Sequence, residues 1–270
     1  MKVQPVSPAM GVRISGIDVR GADTTMVGEL RSLLLDHQLL VIAGQHLPHL
    51  ELQEFGCKWG ELLTHPSGMD AKSPYVQVLS SRKGVRGKAF GAWHSDMSWH
   101  PTPPWITMLH AHTIPPWGGD TGYANQHLAW ESLDRAAKDT RRMFRRGLCS
   151  AEQLVGLRAF HTGKGFGPEV PDSIHPVVRI HDETHRPALY VNPEFTSHIT
   201  NMPETDSALM LFPLWAHAIT QEFTYRHTWS TGDLLIWDNR SVMHTAILDY
   251  DAPRKMARVI VKGDKPLSSS

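Results

Sequence analysis

The sequence predicts a core of many strands, closed as a barrel or sandwich, with helices packed on its outside. Three observations carry this. Short apolar strand patterns recur along the chain: "LLVIA", "YVQVL", "HPVVRI", "PALYVN", "FTYRHTW", "DLLIWD" and "MARVIVK". Only a few stretches show helical periodicity. Strands and helices do not alternate regularly, which argues against doubly wound and (β/α)8 folds. At 270 residues, one large domain spanning 1–270 suffices.

The elements follow in order. Met26, Leu30, Leu33 and Leu34 recur at helical spacing. "LLVIA", 39–43, is continuously apolar and reads as a buried strand. Leu52, Phe55 and Trp59 mark a second amphipathic helix. Residues 64–91 are rich in Gly, Ser, Lys and Pro and read as a long loop around the strand "YVQVL". Loops this long in compact domains are often binding loops or lids. Strands broken by "TPP" and "PPWGGD" fill 93–123, and a helix is predicted over 126–146. "HTGKGFGPEVPDS", 161–173, reads as a second flexible insertion. Another amphipathic helix covers 205–221, with Leu211, Leu214, Trp215, Ala218 and Ile219 on its apolar side. The tail 265–270, ending in three serines, is expected to fray.

Composition narrows the function. Apolar residues make up 41% and charged residues 20%, as in a globular protein with a full core, and the formal net charge is zero. A strong nucleic-acid or anionic-membrane partner usually needs a basic surface, so neither is expected. The two cysteines, Cys57 and Cys149, exclude a disulfide framework and form no CxxC pair. A reducing cytoplasm is the simplest setting. The opening "MKVQPVSPAMGVRISG" has no signal pattern, and no apolar run is long enough to span a bilayer.

The chemistry begins at "WHSDMSW", 93–99. Read as a strand, it turns His94, Asp96 and Ser98 to one face and Trp93, Met97 and Trp99 to the other. His94 and Asp96 then suit one ion, with the rings packed behind them. With 17 histidines in the chain, the competing reading is a polar strand face. "HLE", 49–51, and "HDE", 181–183, also have the spacing, but read as a helix start and a turn without apolar backing. The missing partner is offered by "GDLLIWDNRSVMHTA", where a buried strand and a polar turn lead to His244. Two histidines and one carboxylate form the facial triad of non-haem Fe(II); a catalytic zinc accepts the same set. In "DAPRKMARVIVKGD", Arg254, Met256 and Arg258 share one strand face. A guanidinium within an apolar run needs an anion, either a ligand carboxylate or a structural salt bridge.

These residues resemble the taurine dioxygenase (TauD/TfdA) family of Fe(II)/2-oxoglutarate-dependent dioxygenases. The resemblance runs through "GVRISGIDVR", "HQLLVIAGQHL", "FGCKWGELLTHP", "WHSDMSW", "PPWGGDTGYANQHLAWESL", "HPVVRIHDETHRPALYVNPEFTSHI" and "GDLLIWDNRSVMHTA", in family order and spacing. It implies a double-stranded β-helix (jelly-roll) core and a homo-oligomer, dimer or tetramer. It implies Fe(II) held by His94, Asp96 and His244, with 2-oxoglutarate and O2 as co-substrates. Thr121 and Arg254 are implied to hold 2-oxoglutarate. Arg258 corresponds to an arginine that faces the substrate's anionic group, and remains open to a role with 2-oxoglutarate or in the fold. His65 resembles a substrate-contacting histidine.

Two departures concern the substrate. Gly68 stands where the taurine enzyme has a substrate-contacting tyrosine, and Phe90 stands where it has an asparagine. The pocket is therefore expected to be more apolar than one for taurine, with Phe90 in contact with substrate. Trp99, Trp105 and Phe166 are further candidates for its lining, and each is as readily core. The implied reaction is hydroxylation of an aliphatic C–H in a small anionic molecule, giving succinate and CO2. C–S or C–O cleavage would follow where the carbon bears the heteroatom. Tailoring of an amino-acid-like secondary metabolite is a second substrate class. Outside the oxygenases stand a metal-dependent hydrolase using the same triad and a jelly-roll binding protein.

Overall fold

A computed structural model describes residues 1–66, 68–82, 92–136 and 151–268. Its main sheet has eight strands. The spatial order is Lys2–Pro5, Val12–Ser15, Leu39–Ile42, Leu234–Asp238, Ile106–Thr113, Arg254–Val261 and Leu62–Leu63, with Gln77–Ser81 also paired to Arg254–Val261. Val12–Ser15 runs parallel to Leu39–Ile42, and the other pairings are antiparallel. A three-stranded sheet of Thr224–His227, Thr121–Asn125 and Val242–Ala246 lies against its inner face. The core is thus a double-stranded β-helix with helices outside.

Alternation along each strand assigns the two faces. Leu40, Ile42, Leu234, Ile236, Met108 and Val259 point outward, onto helices Thr24–His37 and His49–Cys57. Leu39, Val41, Leu235, Trp237, Leu109 and Met256 point inward, toward Tyr123 and Val242 of the smaller sheet. Arg254 and Arg258 share parity with Met256 and so face the interior between sheets. A separate cluster, with Leu133, Leu154, Leu211 and Leu214, packs helices Gln126–Ala136 and Glu204–Ala218 over the remaining strands.

Several expectations are corrected. "WHSDMSW" is not a strand. His94 makes an isolated bridge to His244, and the chain then turns through Asp96–Trp99, with Met97 at φ 47°. Strict two-face alternation therefore fails: Met97 and Trp99 pack with Phe195 and Ile260, while Ser98 is buried under Asn192 and His161. The tail is not frayed through Ser268, because Leu267–Ser268 pairs with Ile180 and Arg179. The insertion 161–173 holds a short 3-10 turn at Lys164–Phe166 that packs the half-buried Phe166 against Trp99 and Phe195. Residues 137–146 of the expected helix, and 67 and 83–91 of the long loop, lie outside the described residues. Among the described residues, no helix is long and apolar enough to cross a membrane.

Several buried histidines make the fold acid-sensitive. His161, His175 and Tyr190 form a triangle of rings with centroids 5.4 to 5.9 Å apart. Burial lowers His161 to about 3, and His175 and His127 to about 4. In the unfolded chain such groups titrate near ~6.5. Below that pH the unfolded chain takes up protons that the folded one refuses. Stability is therefore full above about pH 6.5 and falls as the pH drops, by about 1.4 kcal/mol per pH unit for each such histidine. Urea midpoints at pH 7, 6 and 5 are expected to decline accordingly, and His161→Gln to flatten the decline by one such increment. A flat profile would contradict this account.

Candidate metal centre and its pocket

His94 and His244 face one another across their backbone bridge, with N···O distances of 3.0 and 2.8 Å. The turn after His94 brings Asp96 back to the same point. The Nε2 atoms of His94 and His244 lie 3.7 and 3.8 Å from Asp96 Oδ1. All three donor atoms lie within 4.8 Å of one another, and this is the one such group among the described residues.

The donors are in the state that a metal needs. His94 Nδ1 donates to the Ala92 carbonyl at 2.9 Å, which leaves the lone pair on Nε2. Burial depresses His94, and it lowers His244 to about 3, so both rings are neutral at neutral pH. His244 is held between Trp237 and Tyr123, with ring centroids 4.7 and 6.2 Å away. Burial alone would raise the Asp96 carboxyl. The Arg258 charge and the Thr107 hydroxyl bond outweigh it, and the group stays well below the usual carboxylate range. Thr107 donates to Asp96 Oδ2 at 2.7 Å and Arg258 Nη1 to Oδ1 at 2.7 Å. Asn239 clasps the backbone: its Oδ1 accepts from Asp96 N at 2.7 Å, and its Nδ2 donates to Asp96 O at 2.9 Å. Two neutral imidazoles and one ionised carboxylate, oriented by outer hydrogen bonds, suit Fe(II).

On one side lies a buried cation that makes no ion pair among the described residues. Arg254 is 8% exposed, its Nε has no hydrogen-bond partner, and it makes no ion pair among the described residues. Burial lowers its affinity for the proton, which Tyr250, Tyr123 and Asp120 only partly offset. Gly119, at φ +73°, lets the loop pass close: an added Cβ would sit 3.3 Å from Arg254 Cδ. A clasp of Arg226 with Asp120 and Asp249 pins that loop. Two residues on, the Thr121 hydroxyl accepts from Trp229 Nε1 at 3.0 Å. A buried guanidinium with no ion pair among the described residues fits one carboxylate of 2-oxoglutarate.

On the other side lies an aromatic wall. Phe195 is 5.7 Å from His94, Phe166 is 6.2 Å from Phe195, and Trp99 is 5.8 Å from Phe166. The His65 ring meets Phe166 edge-on at 5.1 Å. Gly163 is required here, since an added Cβ would lie 2.7 Å from Trp99 Cδ2. Trp105 is not part of this wall. It stacks under Arg31 and Arg240, at 4.7 and 4.9 Å, in the outer core. Phe90 lies outside the described residues. Arg258 meets its anion within the fold, in Asp96, while its Nε donates to Gln77 Oε1 at 2.8 Å.

The two rival motifs resolve as structural. His49 pairs with Asp70 at 2.9 Å. His181 bonds Asp238 at 2.9 Å, and Asp182 and Glu183 accept from Arg240. Sequence reasoning missed Gln77, Thr107, Asn239, Phe195 and Tyr123. Thr107 and Asn239 carry no motif. Gln77 had one available signal, a lone amide within the apolar run "YVQVL".

Comparison with known proteins agrees with this geometry. Residues 2–260 match the model of the taurine catabolism dioxygenase TauD, TfdA family. An alkylsulfatase of Acinetobacter baylyi is 30% identical, over 98% of this chain and 86% of its own. An alpha-ketoglutarate-dependent 2,4-dichlorophenoxyacetate dioxygenase of Cupriavidus pinatubonensis is 27% identical, over 96% of this chain and 97% of its own. The crystal structure of a taurine dioxygenase from Burkholderia xenovorans superposes with a TM-score of 0.85 at 31% identity, covering 99% of this chain and 92% of that one. With a family match over nearly its whole length and the triad assembled between its sheets, the chain belongs to the taurine catabolism dioxygenase TauD, TfdA family.

Proposed function

We propose that this dioxygenase hydroxylates an aliphatic C–H of a small monoanionic substrate, using Fe(II), 2-oxoglutarate and O2, at a carbon next to a sulfonate, sulfate-ester or aryl-ether group. The observation that carries this is the pairing of the His94, Asp96 and His244 triad with Arg254, a buried guanidinium that makes no ion pair among the described residues. A hydrolase needs the first but not the second. Bound together, the three small partners supply an oxidant that places one oxygen on carbon as 2-oxoglutarate is split into succinate and CO2.

The residues divide the remaining work. His94, Asp96 and His244 hold the metal, and Arg254 and Thr121 orient the co-substrate. Phe195, Phe166 and Trp99 exclude water and pack the substrate's apolar part. The charges favour a monoanion. Asp96 cancels one of the two guanidiniums, Arg254 and Arg258, and a divalent ion cancels dianionic 2-oxoglutarate. One buried positive charge is left for the substrate, while Glu194, near His94, is only half-buried and screened by solvent. A hydroxyl placed beside sulfur or an ether oxygen makes a product that collapses to a carbonyl compound. The names of the alkylsulfatase and of the dichlorophenoxyacetate dioxygenase support such substrates. We infer a single-domain, cytoplasmic homo-oligomer from the low cysteine content and the family resemblance.

Anaerobic addition of Fe(II) and 2-oxoglutarate is expected to give a weak visible absorption band. The substrate among a panel of alkyl sulfates, alkylsulfonates and aryloxyalkanoates should shift the band and release succinate on exposure to air. No band, and turnover indifferent to 2-oxoglutarate, would return the hydrolase reading. Arg254→Met is expected to raise the KM for 2-oxoglutarate by roughly 100-fold, since losing one side of a buried charge pair costs about 2–5 kcal/mol. An unchanged KM would remove Arg254 from the co-substrate site.

A further inference from the structure

The strand Thr121–Asn125 carries two hydroxyls on one face. Thr121 and Tyr123 are two residues apart, so both side chains point to the same side of it. The register sets Tyr123 opposite His244. The Tyr123 ring is fully buried, lies at 24° to the His244 ring with centroids 6.2 Å apart, and meets Trp237 edge-on at 5.4 Å. Its hydroxyl makes no hydrogen bond among the described residues. A phenol keeps its proton at neutral pH, and a buried hydroxyl without a partner is costly. The surroundings indicate the partner. Burial raises the Tyr123 pKa, the Arg254 charge is the strongest influence against that rise, and the Thr121 hydroxyl adds to it. The phenol oxygen therefore lies on the Arg254 side of the pocket.

Its neighbours there are donors as well. Arg254 Nε is buried and has no hydrogen-bond partner among the described residues. Thr121 Oγ1 accepts from Trp229 Nε1 at 3.0 Å; an indole N–H only donates, so the Thr121 proton points elsewhere. Trp229 is fixed in turn, edge-on against His227 at 4.8 Å. One carboxylate offers lone pairs enough for all three donors. We propose that Tyr123 is a further co-substrate-binding residue, whose hydroxyl donates to the 2-oxoglutarate carboxylate that Arg254 and Thr121 hold. The inference rests on the co-substrate reading above. The oxo-acid end of 2-oxoglutarate is the end that chelates a metal, so the carboxylate concerned is the far one. A phenol adds a hydrogen bond there without adding a second buried cation.

The test is anaerobic calorimetric titration of the Fe(II)-loaded full chain with 2-oxoglutarate and with 2-oxopentanoate, which keeps the chelating end and has a methyl group in place of the far carboxylate. Tyr123→Phe removes the oxygen and leaves the ring contacts with His244 and Trp237. Its Kd for 2-oxoglutarate is expected to rise about tenfold or more, as for loss of one hydrogen bond to a charged group. Its Kd for 2-oxopentanoate should not change. Without either acid, its urea midpoint should equal or exceed that of the native chain, because the hydroxyl has no partner to lose. An unchanged Kd for 2-oxoglutarate overturns the proposal. So does an equal rise for both acids, or a lowered urea midpoint, since each marks a packing role. If Tyr123→Phe does not fold, 13C NMR of the tyrosine rings in the native chain loaded with Zn(II) decides, with Tyr123 identified by elimination from Phe variants of the other tyrosines. Its signal should shift with 2-oxoglutarate and not with 2-oxopentanoate; no shift, or the same shift with both, overturns the proposal. Binding of neither acid to the native chain overturns the co-substrate reading itself.

Discussion

Asp96→Ala is expected to abolish iron binding and 2-oxoglutarate-dependent turnover while the chain still folds. The carboxylate is one of three donors that lie within 4.8 Å of one another, and the other two are neutral rings. Without it, nothing in the triad offsets the charge of a divalent ion. The loss should exceed the roughly 10- to 100-fold that removal of an outer partner costs, and Thr107→Val is the natural comparison because it takes only the bond to Oδ2. Folding should survive. The Asn239 clasp uses the Asp96 backbone, and Arg258 keeps its bond to Gln77. Calorimetric titration with Fe(II) under anaerobic conditions, beside circular dichroism, separates the two effects. An Asp96→Ala protein that binds iron and turns over like the native chain would remove Asp96 from the centre.

The distribution of roles around Asp96 shows what the sequence could and could not reveal. The triad was legible because His94 and Asp96 are near neighbours and His244 follows a buried strand and a polar turn. The inward face of Arg254 and Arg258 followed from period-two alternation, and that inference holds because the register shift at Lys255/Met256 puts the extra residue on the partner strand Ile106–Thr113. Alternation misled at "WHSDMSW", where Met97 adopts a left-handed backbone that a non-glycine residue seldom takes and no local pattern announces. The requirement that Arg258 meet an anion was sound, yet the anion is a residue 162 positions away. Gln77, Thr107 and Asn239 reach Asp96 or its partner from three separate segments, and only tertiary structure brings them together. The closing strand Leu267–Ser268 is too short to have a period at all.

The ionic network behind the centre leads to the largest expected loss of stability, that of Asp238→Ala. Asp238 is 1% exposed and ends the strand that precedes the His244 turn. Its Oδ1 accepts from Arg240 N and Nε, at 3.0 and 2.9 Å, and its Oδ2 from Arg240 Nη2 and His181 Nε2, at 2.7 and 2.9 Å. Burial alone would raise this carboxyl; Arg240 and the hydrogen bonds reverse the effect and hold it far below the usual range. The folded pKa is depressed, so this contribution is complete above about pH 4, the unfolded value, and is lost only under strong acid. The decline expected between pH 6.5 and 5 therefore belongs to the histidines and not to Asp238. Removing the carboxylate leaves Arg240 buried against Trp105, with only the partly exposed Asp182 and Glu183 as partners. A broken buried pair costs about 3–5 kcal/mol, whereas replacing both members by apolar residues costs much less. Asp238→Ala should thus lose about that much in urea unfolding, and Asp238→Leu with Arg240→Met should recover a large part of it. The same turn carries Asn239 and leads to His244, so weaker metal binding should accompany the loss. A cost below about 1 kcal/mol for Asp238→Ala would mean that solvent or neighbouring groups already compensate Arg240, and that the turn is held by its backbone alone.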